Sequence, residues 1–394
     1  MYSMKFQILL FFCCLLVIFG CLLFVPTSPR RWIANIRLQD LQDYEEDVNR
    51  GIQSNIESLT QLLQYRLSLP DDAPKISNSS LCTEHEKDFR PCLKENCTEL
   101  SSKPLRKRIE ELVLAPHFHL DEQQLQNILS FTSNVSEEDV IIASASSANH
   151  FKEMEAMFAA LHKTVYPDLK NFKVILFDIG LKKRQKRLTE KYCKCQVLSF
   201  PFKLFPPHVS NPLCYSWKAI IIRALISKAR KLLIWQDSTV RWSKKFHTIL
   251  QRAMQYGQQL TESPSAARIT AHTLPQMFDY MGEDECHYFM YREIQAGFQV
   301  LKNDPLVIQA VLNPWTRCAL EKSCMCPVDP QTVIRCSKEL PKCHRFDQSA
   351  MSIIMSKLYA ADRNRFLVPF YSKTNSTYVS VQRGDKQDKW RTLD

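Results

Sequence analysis

Lys231-Leu232-Leu233-Ile234-Trp235-Gln236-Asp237-Ser238-Thr239 is a short apolar run that stops in a polar cluster with a single acid. An uninterrupted apolar run of this length, bounded by polar residues, is the pattern of a strand buried on both faces. Three similar runs precede it: Val140-Ile141-Ile142-Ala143-Ser144, Lys173-Val174-Ile175-Leu176-Phe177-Asp178 and Gln196-Val197-Leu198-Ser199-Phe200. The segments between them carry helical spacing. Asn149 is placed to cap a helix whose Phe151, Met154, Phe158 and Leu161 share a face, a basic helix covers 181–188, and another runs from Trp217 to Ala229. Strands alternating with helices predict crossover connections and a parallel α/β sheet. Ligands of such sheets sit beyond the carboxyl ends of the strands. Those ends carry Ser144-Ala145-Ser146, Asp178 and Gln236-Asp237-Ser238.

Composition narrows the classes. Among 394 residues there are only seven glycines, and no two stand at the spacing of a phosphate-binding or dinucleotide-binding loop, which argues against those nucleotide folds. Fifteen cysteines are many for a reducing compartment. Residues 6–25 form an apolar stretch with one polar side chain, Gln7, and no charge, long enough to cross a bilayer as an uncleaved signal-anchor. Arg30, Arg31 and Arg37 follow it, and read alone they would hold the remainder in the cytosol. Four acceptor sequons, at Asn78, Asn96, Asn134 and Asn375, and twelve cysteines downstream of the span point the other way. The expected layout is a single-pass type II protein of Golgi or ER: tail 1–5, membrane helix 6–25, luminal stem 26–133, catalytic domain 134–372 and polar tail 373–394. The net charge of +11 includes the basic run Lys182–Arg187, which reads as a solvated helix face or a contact for acidic glycans. A nucleic-acid partner does not fit a chain behind a membrane anchor.

The stem holds a stripe of Leu41, Tyr44, Val48, Ile52, Ile56, Leu59 and Leu63. It suits either a helix lying on its own domain or a coiled coil that pairs two chains. Cys82, Cys92 and Cys97 are an odd number, so one of them is expected to bond the main domain or a second chain. In the C-terminal third Asp304-Pro305 is expected to open a helix to Leu312, and Asp347 another through Met351, Ile354 and Leu358. His344 beside Cys318, Cys324, Cys326, Cys336 and Cys343 lacks the paired spacing of a structural zinc site, so disulfides are expected there.

An acid at the end of a buried strand suits a divalent cation that bridges to a diphosphate; capping or turn formation by Asp237 is the competing reading. The segments FDIGL (177–181), SWKAIII (216–222), WQDSTVRW (235–242), EIQAGFQVL (293–301), NPWTRCAL (313–320) and CHRFDQSAM (343–351) occur in this order. Over about 134–372 they resemble an uncharacterised invertebrate domain family of nucleotide-diphospho-sugar-transferase type. The resemblance implies a GT-A-like fold: a mostly parallel sheet flanked by helices, here preceded by a transmembrane helix and a helical stem. It implies that Asp237 ligates Mn²⁺ (or Mg²⁺) or meets the diphosphate, though Gln236-Asp237-Ser238 offers one acid where a full D-x-D offers two. Ser144 and Ser146 would line the nucleotide pocket, with Asp178 near the base or ribose, and Lys218 and Arg241 would neutralise the diphosphate. Asp347 and Gln348 would reach the sugar or acceptor, with an N-cap as the other reading of Asp347. Glu293 is a general base for an inverting reaction or a buried structural carboxylate. The expected activity is transfer of a sugar from a nucleotide-diphosphate donor to a glycan or glycoprotein. The rivals are an inactive luminal scaffold of the same fold and a Golgi sulfotransferase.

Overall fold

The computed structural model describes residues 50–70, 100–263, 267–336, 343–368 and 378–385. The apolar run 6–25, Cys82, Cys92, Cys97 and the sequons at Asn78, Asn96 and Asn375 lie outside the described residues. Among the described residues no helix is long and apolar enough to cross a membrane. The chain divides between Ser58 and Leu59 into two compact units, and the whole sheet belongs to the second.

The strands are β1 (Glu138–Ser146), β2 (Phe172–Asp178), β3 (Gln196–Ser199), β4 (Ala229–Gln236), β5 (Val240–Trp242), β6 (Gln258–Glu262), β7 (Ile294–Lys302), β8 (Leu367–Val368) and β9 (Val379–Val381). The four strands read from the apolar runs are β1 to β4. Seven strands form one sheet in the order β3-β2-β1-β4-β7-β6-β8, while β5 and β9 pair separately. β1 to β4 are mutually parallel, β7 runs antiparallel to both β4 and β6, and β8 is parallel to β6. The sheet is therefore mostly parallel, and the antiparallel β7 beside β4 is what sequence reading did not anticipate. The chain moves outward from β1 through β2 to β3, then returns to place β4 on the other side of β1. This reversal opens a crevice at the carboxyl ends of β1 and β4.

Both faces of the sheet are covered, which is why β4 reads as an unbroken apolar run: Leu233, Ile234 and Trp235 are wholly buried. One face packs Ile142, Leu176, Ile234 and Phe298 against Met154 and Phe158 of helix Phe151–Thr164 and Phe246 of helix Phe246–Tyr256. Helix Ser216–Ile226 is buried along its entire length, so its sequence shows no polar face. Helix Asp347–Tyr359 is buried at twelve of its thirteen positions.

Two helices assigned by sequence to the stem, Leu105–Val113 and Glu122–Ser130, belong to the same compact unit as the sheet. Arg108 donates to the Leu358 carbonyl at 2.9 Å, satisfying the C-terminal end of helix Asp347–Tyr359. Of the stem stripe, Leu59 and Leu63 are buried in this unit. Farther along the same helix Arg66 forms a buried ion pair with Asp304, and Arg365 donates to the Leu69 carbonyl at 2.7 Å. At these positions the helix lies on its own domain; Leu41, Tyr44 and Val48 are outside the described residues.

Capping differs in detail from expectation. His150, not Asn149, precedes helix Phe151–Thr164, and Asn149 instead accepts from the Ser147 hydroxyl. Asp304 does accept from the Val307 amide at 3.1 Å, but the helix it opens is wound as a π-helix over Val307–Leu312 before Asn313–Leu320. Disulfides join Cys193–Cys195, Cys214–Cys326, Cys318–Cys324 and Cys336–Cys343. Cys286 is disulfide-bonded too.

Candidate active site

Three elements widely separated in sequence meet where β4 ends. Lys218 comes from the first turn of helix Ser216–Ile226, Asp237 follows β4 directly, and Asp347 opens helix Asp347–Tyr359. The Lys218 ammonium lies 3.1 Å from Asp237 Oδ1 and 2.7 Å from Asp347 Oδ2. Its side chain is 3% exposed, against 7% for Asp347 and 36% for Asp237. Burial alone would push the lysine pKa down; the two carboxylates outweigh that and hold it above the ordinary value. Burial raises the Asp347 pKa, and the neighbouring Asp237 adds to this, while Lys218 pulls in the opposite direction.

Backbone conformation aims these groups. Tyr215 (φ 54°, ψ 10°) and Phe346 (φ 45°, ψ −112°) each adopt positive φ immediately before the helices that carry Lys218 and Asp347. For non-glycine residues such conformations cost on the order of 1–3 kcal/mol and persist only where surrounding packing holds them. Phe346 is buried, and its neighbour's carbonyl accepts from Trp315 Nε1 at 3.0 Å, which fixes the entry of the helix. Asp347 is the first helical residue and makes no cap, so its carboxylate is turned to Lys218 and the N-cap reading is corrected. Both helix N-termini thus open towards the same cavity, and both favour negative charge there.

Asp237 is held on several sides. Its amide donates to the Gly297 carbonyl at 2.8 Å, and its Oδ1 accepts from Trp235 Nε1 at 2.9 Å. A Cβ at position 297 would stand 3.0 Å from Asp237 Oδ2, so glycine there lets β7 approach the carboxylate. Gln236 is fully buried and accepts from Trp242 Nε1, while Ser238 is largely buried. The 236–238 cluster therefore presents one acid and no second metal ligand.

A cavity of about 240 Å³ lies over this centre, and Lys218, Asp237, Glu293, Asp347 and Gln348 line it together with Tyr215, Gln295, Arg345 and Arg383. Glu293 is buried, accepting from the Ser263 hydroxyl at 2.6 Å and pairing with His272 Nδ1 at 2.7 Å. Burial raises the Tyr215 pKa, and the nearby Asp347 adds to this, so its hydroxyl stays a neutral donor. His344, also on the cavity wall, is held neutral by burial, its pKa pulled down to about 4.

Four residues singled out from sequence do not line this cavity. Ser144 points its hydroxyl at Met157 Sδ, 3.5 Å away, and Ser146 contacts the Ser147 carbonyl at 3.4 Å. Asp178 accepts from the amides of Gly180 and Leu181 at 3.0 and 2.7 Å and thereby closes the turn after β2. Arg241 spends its guanidinium on the carbonyls of Ser238, Val240 and Glu153 and on Asp385. Arg383, by contrast, was hidden in the segment read as a polar tail. β9 pairs antiparallel with β5, and the Gln382 amide donates to the Thr239 carbonyl at 2.8 Å, which carries Arg383 to the cavity. Arg345 stood in plain view beside Asp347, and its Nε has no hydrogen-bond partner among the described residues.

Among the described residues, the His, Cys, Asp and Glu side chains spaced to ligate a metal together are His272, Cys336 and Cys343. The two cysteines are joined as a disulfide, which removes the thiolates a metal requires.

Residues 103–223 match a family model described as "Protein of unknown function (DUF1647)". No curated protein matches the chain. Among solved structures, mouse xyloside xylosyltransferase 1 in its apo form is 7% identical, with 64% of this chain and 99% of that chain covered and a TM-score of 0.38. Core-mannan synthase A (CmsA/Ktr4) from Aspergillus fumigatus, in an Mn/GDP form, is 11% identical over 68% of this chain and 85% of that one, at TM-score 0.36. The galactosyltransferase LgtC, in complex with donor and acceptor sugar analogues, is 10% identical over 62% and 87%, at 0.33. At these TM-scores the likenesses assign no role to any residue.

Proposed function

We propose that this protein is a glycosyltransferase that moves a sugar from a nucleotide-diphosphate donor to a glycan or glycoprotein acceptor. The observation that carries the reading is the buried Lys218 between Asp237 and Asp347, on a cavity that Arg345 and Arg383 also line. A departing nucleoside diphosphate develops negative charge, and cations fixed in advance around it stabilise that charge where it forms. Two helix N-termini facing the same space act in the same sense. Asp347, half-neutralised by Lys218, and the amide of Gln348 are the groups placed to meet the transferred sugar. Glu293 is the third carboxylate of the cavity, beside Asp237 and Asp347; its bonds to Ser263 and His272 hold it in one orientation.

The placement in the cell is part of the same proposal: a Golgi or ER membrane, with residues 6–25 as the anchor and the catalytic domain in the lumen. The disulfides, four of them joining described residues, support an oxidising compartment, and Asn134 of the Asn-Val-Ser sequon is exposed before β1. The test of activity is release of nucleotide by the purified full chain from nucleotide sugars supplied singly, with Asp347→Asn as control. Release from one donor that the substitution abolishes is the expected result. If no donor is turned over and none raises the melting temperature, the inactive-scaffold reading replaces this one.

A further inference from the structure

The divalent cation implied at Asp237 meets a donor set that does not fit it. Gln236 is turned into the core by its bond with Trp242, Ser238 is largely buried, and Asp237 is the one acid of the cluster. Asp237 Oδ1 is already shared by Trp235 Nε1 at 2.9 Å and the Lys218 ammonium at 3.1 Å. Oδ2 faces Gly297 on one side and Lys218, at 3.5 Å, on another. Asp347, the second acid at this lysine, is paired with the same ammonium at 2.7 Å, and Glu293, on the same cavity, is held by Ser263 and His272. A dication ligated by Asp237 would stand against a fixed positive charge at contact distance. Lys218 has little room to withdraw: its helix is buried throughout, and the rings of Tyr215 and Trp235 lie 5.6 and 5.8 Å from its nitrogen.

We propose that Lys218 is the resident cation of this site, held by Asp237 and Asp347 in place of a divalent metal, so that a nucleoside diphosphate binds without one. The inference rests on the transferase reading and adds to it how the diphosphate charge is met. An ammonium carries three donors; Asp237 Oδ2 accepts one at 3.5 Å, and Asp347 Oδ2, 2.7 Å away, meets the ammonium as an ion pair outside hydrogen-bond geometry. The remaining donor capacity serves the cavity that Lys218 lines, with Arg345 and Arg383 supplying the further charge that a single lysine lacks.

The test is calorimetric titration of the full chain with UDP and with GDP, each in EDTA and in Mn²⁺, repeated on Lys218→Gln. The expected result is that the preferred nucleotide binds in EDTA within about 3-fold of its affinity in Mn²⁺. Lys218→Gln should weaken binding in EDTA by at least about 10-fold, and Mn²⁺ should then restore part of it, because the freed acid pair can take a cation. Restoration by metal is a response that a merely structural lysine would not give. Wild-type binding at least 10-fold tighter in Mn²⁺ than in EDTA overturns the inference and leaves the transferase standing. Failure of both nucleotides to bind under either condition overturns the transferase reading and this inference with it. If Lys218→Gln does not fold, the comparison of EDTA with Mn²⁺ on the wild-type chain decides alone.

Discussion

Two groups of polar residues stand at the carboxyl ends of parallel strands, at the β1–β2 edge and at the end of β4, and they have opposite fates. At the first edge the polar groups are consumed locally: Asp178 ties two amides of its own turn, and Ser144 and Ser146 find partners in Met157 and the Ser147 carbonyl. At the end of β4 the polar groups are supplied from far away in sequence, and a lysine from one helix joins an acid from another. Satisfied turn residues stabilise the fold and have little left to offer a ligand. Charges gathered from three elements, partly buried and facing a cavity, retain both strength and access. The contrast says that strand-end position nominates a residue, and its partners decide what it does.

Substitutions at the two edges should separate cleanly. Asp347→Asn is expected to lower turnover by on the order of 100-fold or more, while Ser144→Ala leaves it within about 2-fold, both read by nucleotide release. Equal losses at both edges would erase the distinction. Lys218→Met removes the ammonium and leaves two neighbouring carboxylates in a largely buried place; breaking such a cluster costs about 3–5 kcal/mol. Denaturant unfolding should show this as the largest loss of stability among the site variants.

The disulfides extend the same comparison. Cys214–Cys326 anchors the segment that leads into Tyr215 and Lys218 and closes a separation of 112 residues, whereas Cys193–Cys195, before β3, closes a separation of two. Loop entropy makes the long bridge worth about 4–5 kcal/mol and the short one roughly 1–2. Paired Cys→Ser variants should melt accordingly, and equal shifts would break the argument.

A smaller effect concerns His344, on the cavity side. It is neutral in the fold down to about 4, while the unfolded chain protonates it near 6.5. Between those values the unfolded state binds more protons, so stability falls as pH drops through that window and changes no further from this group below it. Denaturant midpoints measured from pH 7 to 4 should decline, and His344→Gln should flatten the decline. Smallest is Asp178→Ala, expected to cost about 1 kcal/mol through two lost bonds to backbone amides, with turnover unchanged.

Local pattern made much of this legible. Apolar runs at 140–144, 173–178 and 231–235 fall inside β1, β2 and β4 because strands buried on both faces need a run of apolar residues, and that run is written in adjacent positions; the run 196–200 covers the half-buried β3 and overshoots it by Phe200. β6 and β7 escaped notice for the converse reason. Gln258, Gln259 and Gln299 are fully buried polar residues, and Gln299 bonds the Ala296 carbonyl, so these strands carry no unbroken apolar run. Of the residues nominated for chemistry, Asp237, Lys218, Asp347, Gln348 and Glu293 share one cavity, and Ser144, Ser146, Asp178 and Arg241 do not line it. Arg383 reaches the site only because β9 pairs with β5, a contact across more than a hundred residues that no local spacing records.

The sequence by itself therefore determined the sheet's first half, the strand ends where polar groups accumulate and the wealth of cysteines suited to disulfides. Each depends on neighbours along the chain or on a count. The tertiary structure alone decided that one ammonium holds two acids at the end of β4, that two strained residues aim the helices bearing them, and that a C-terminal strand returns to complete the wall. Those outcomes depend on which distant segments share a desolvated volume, where charge and geometry are set by packing.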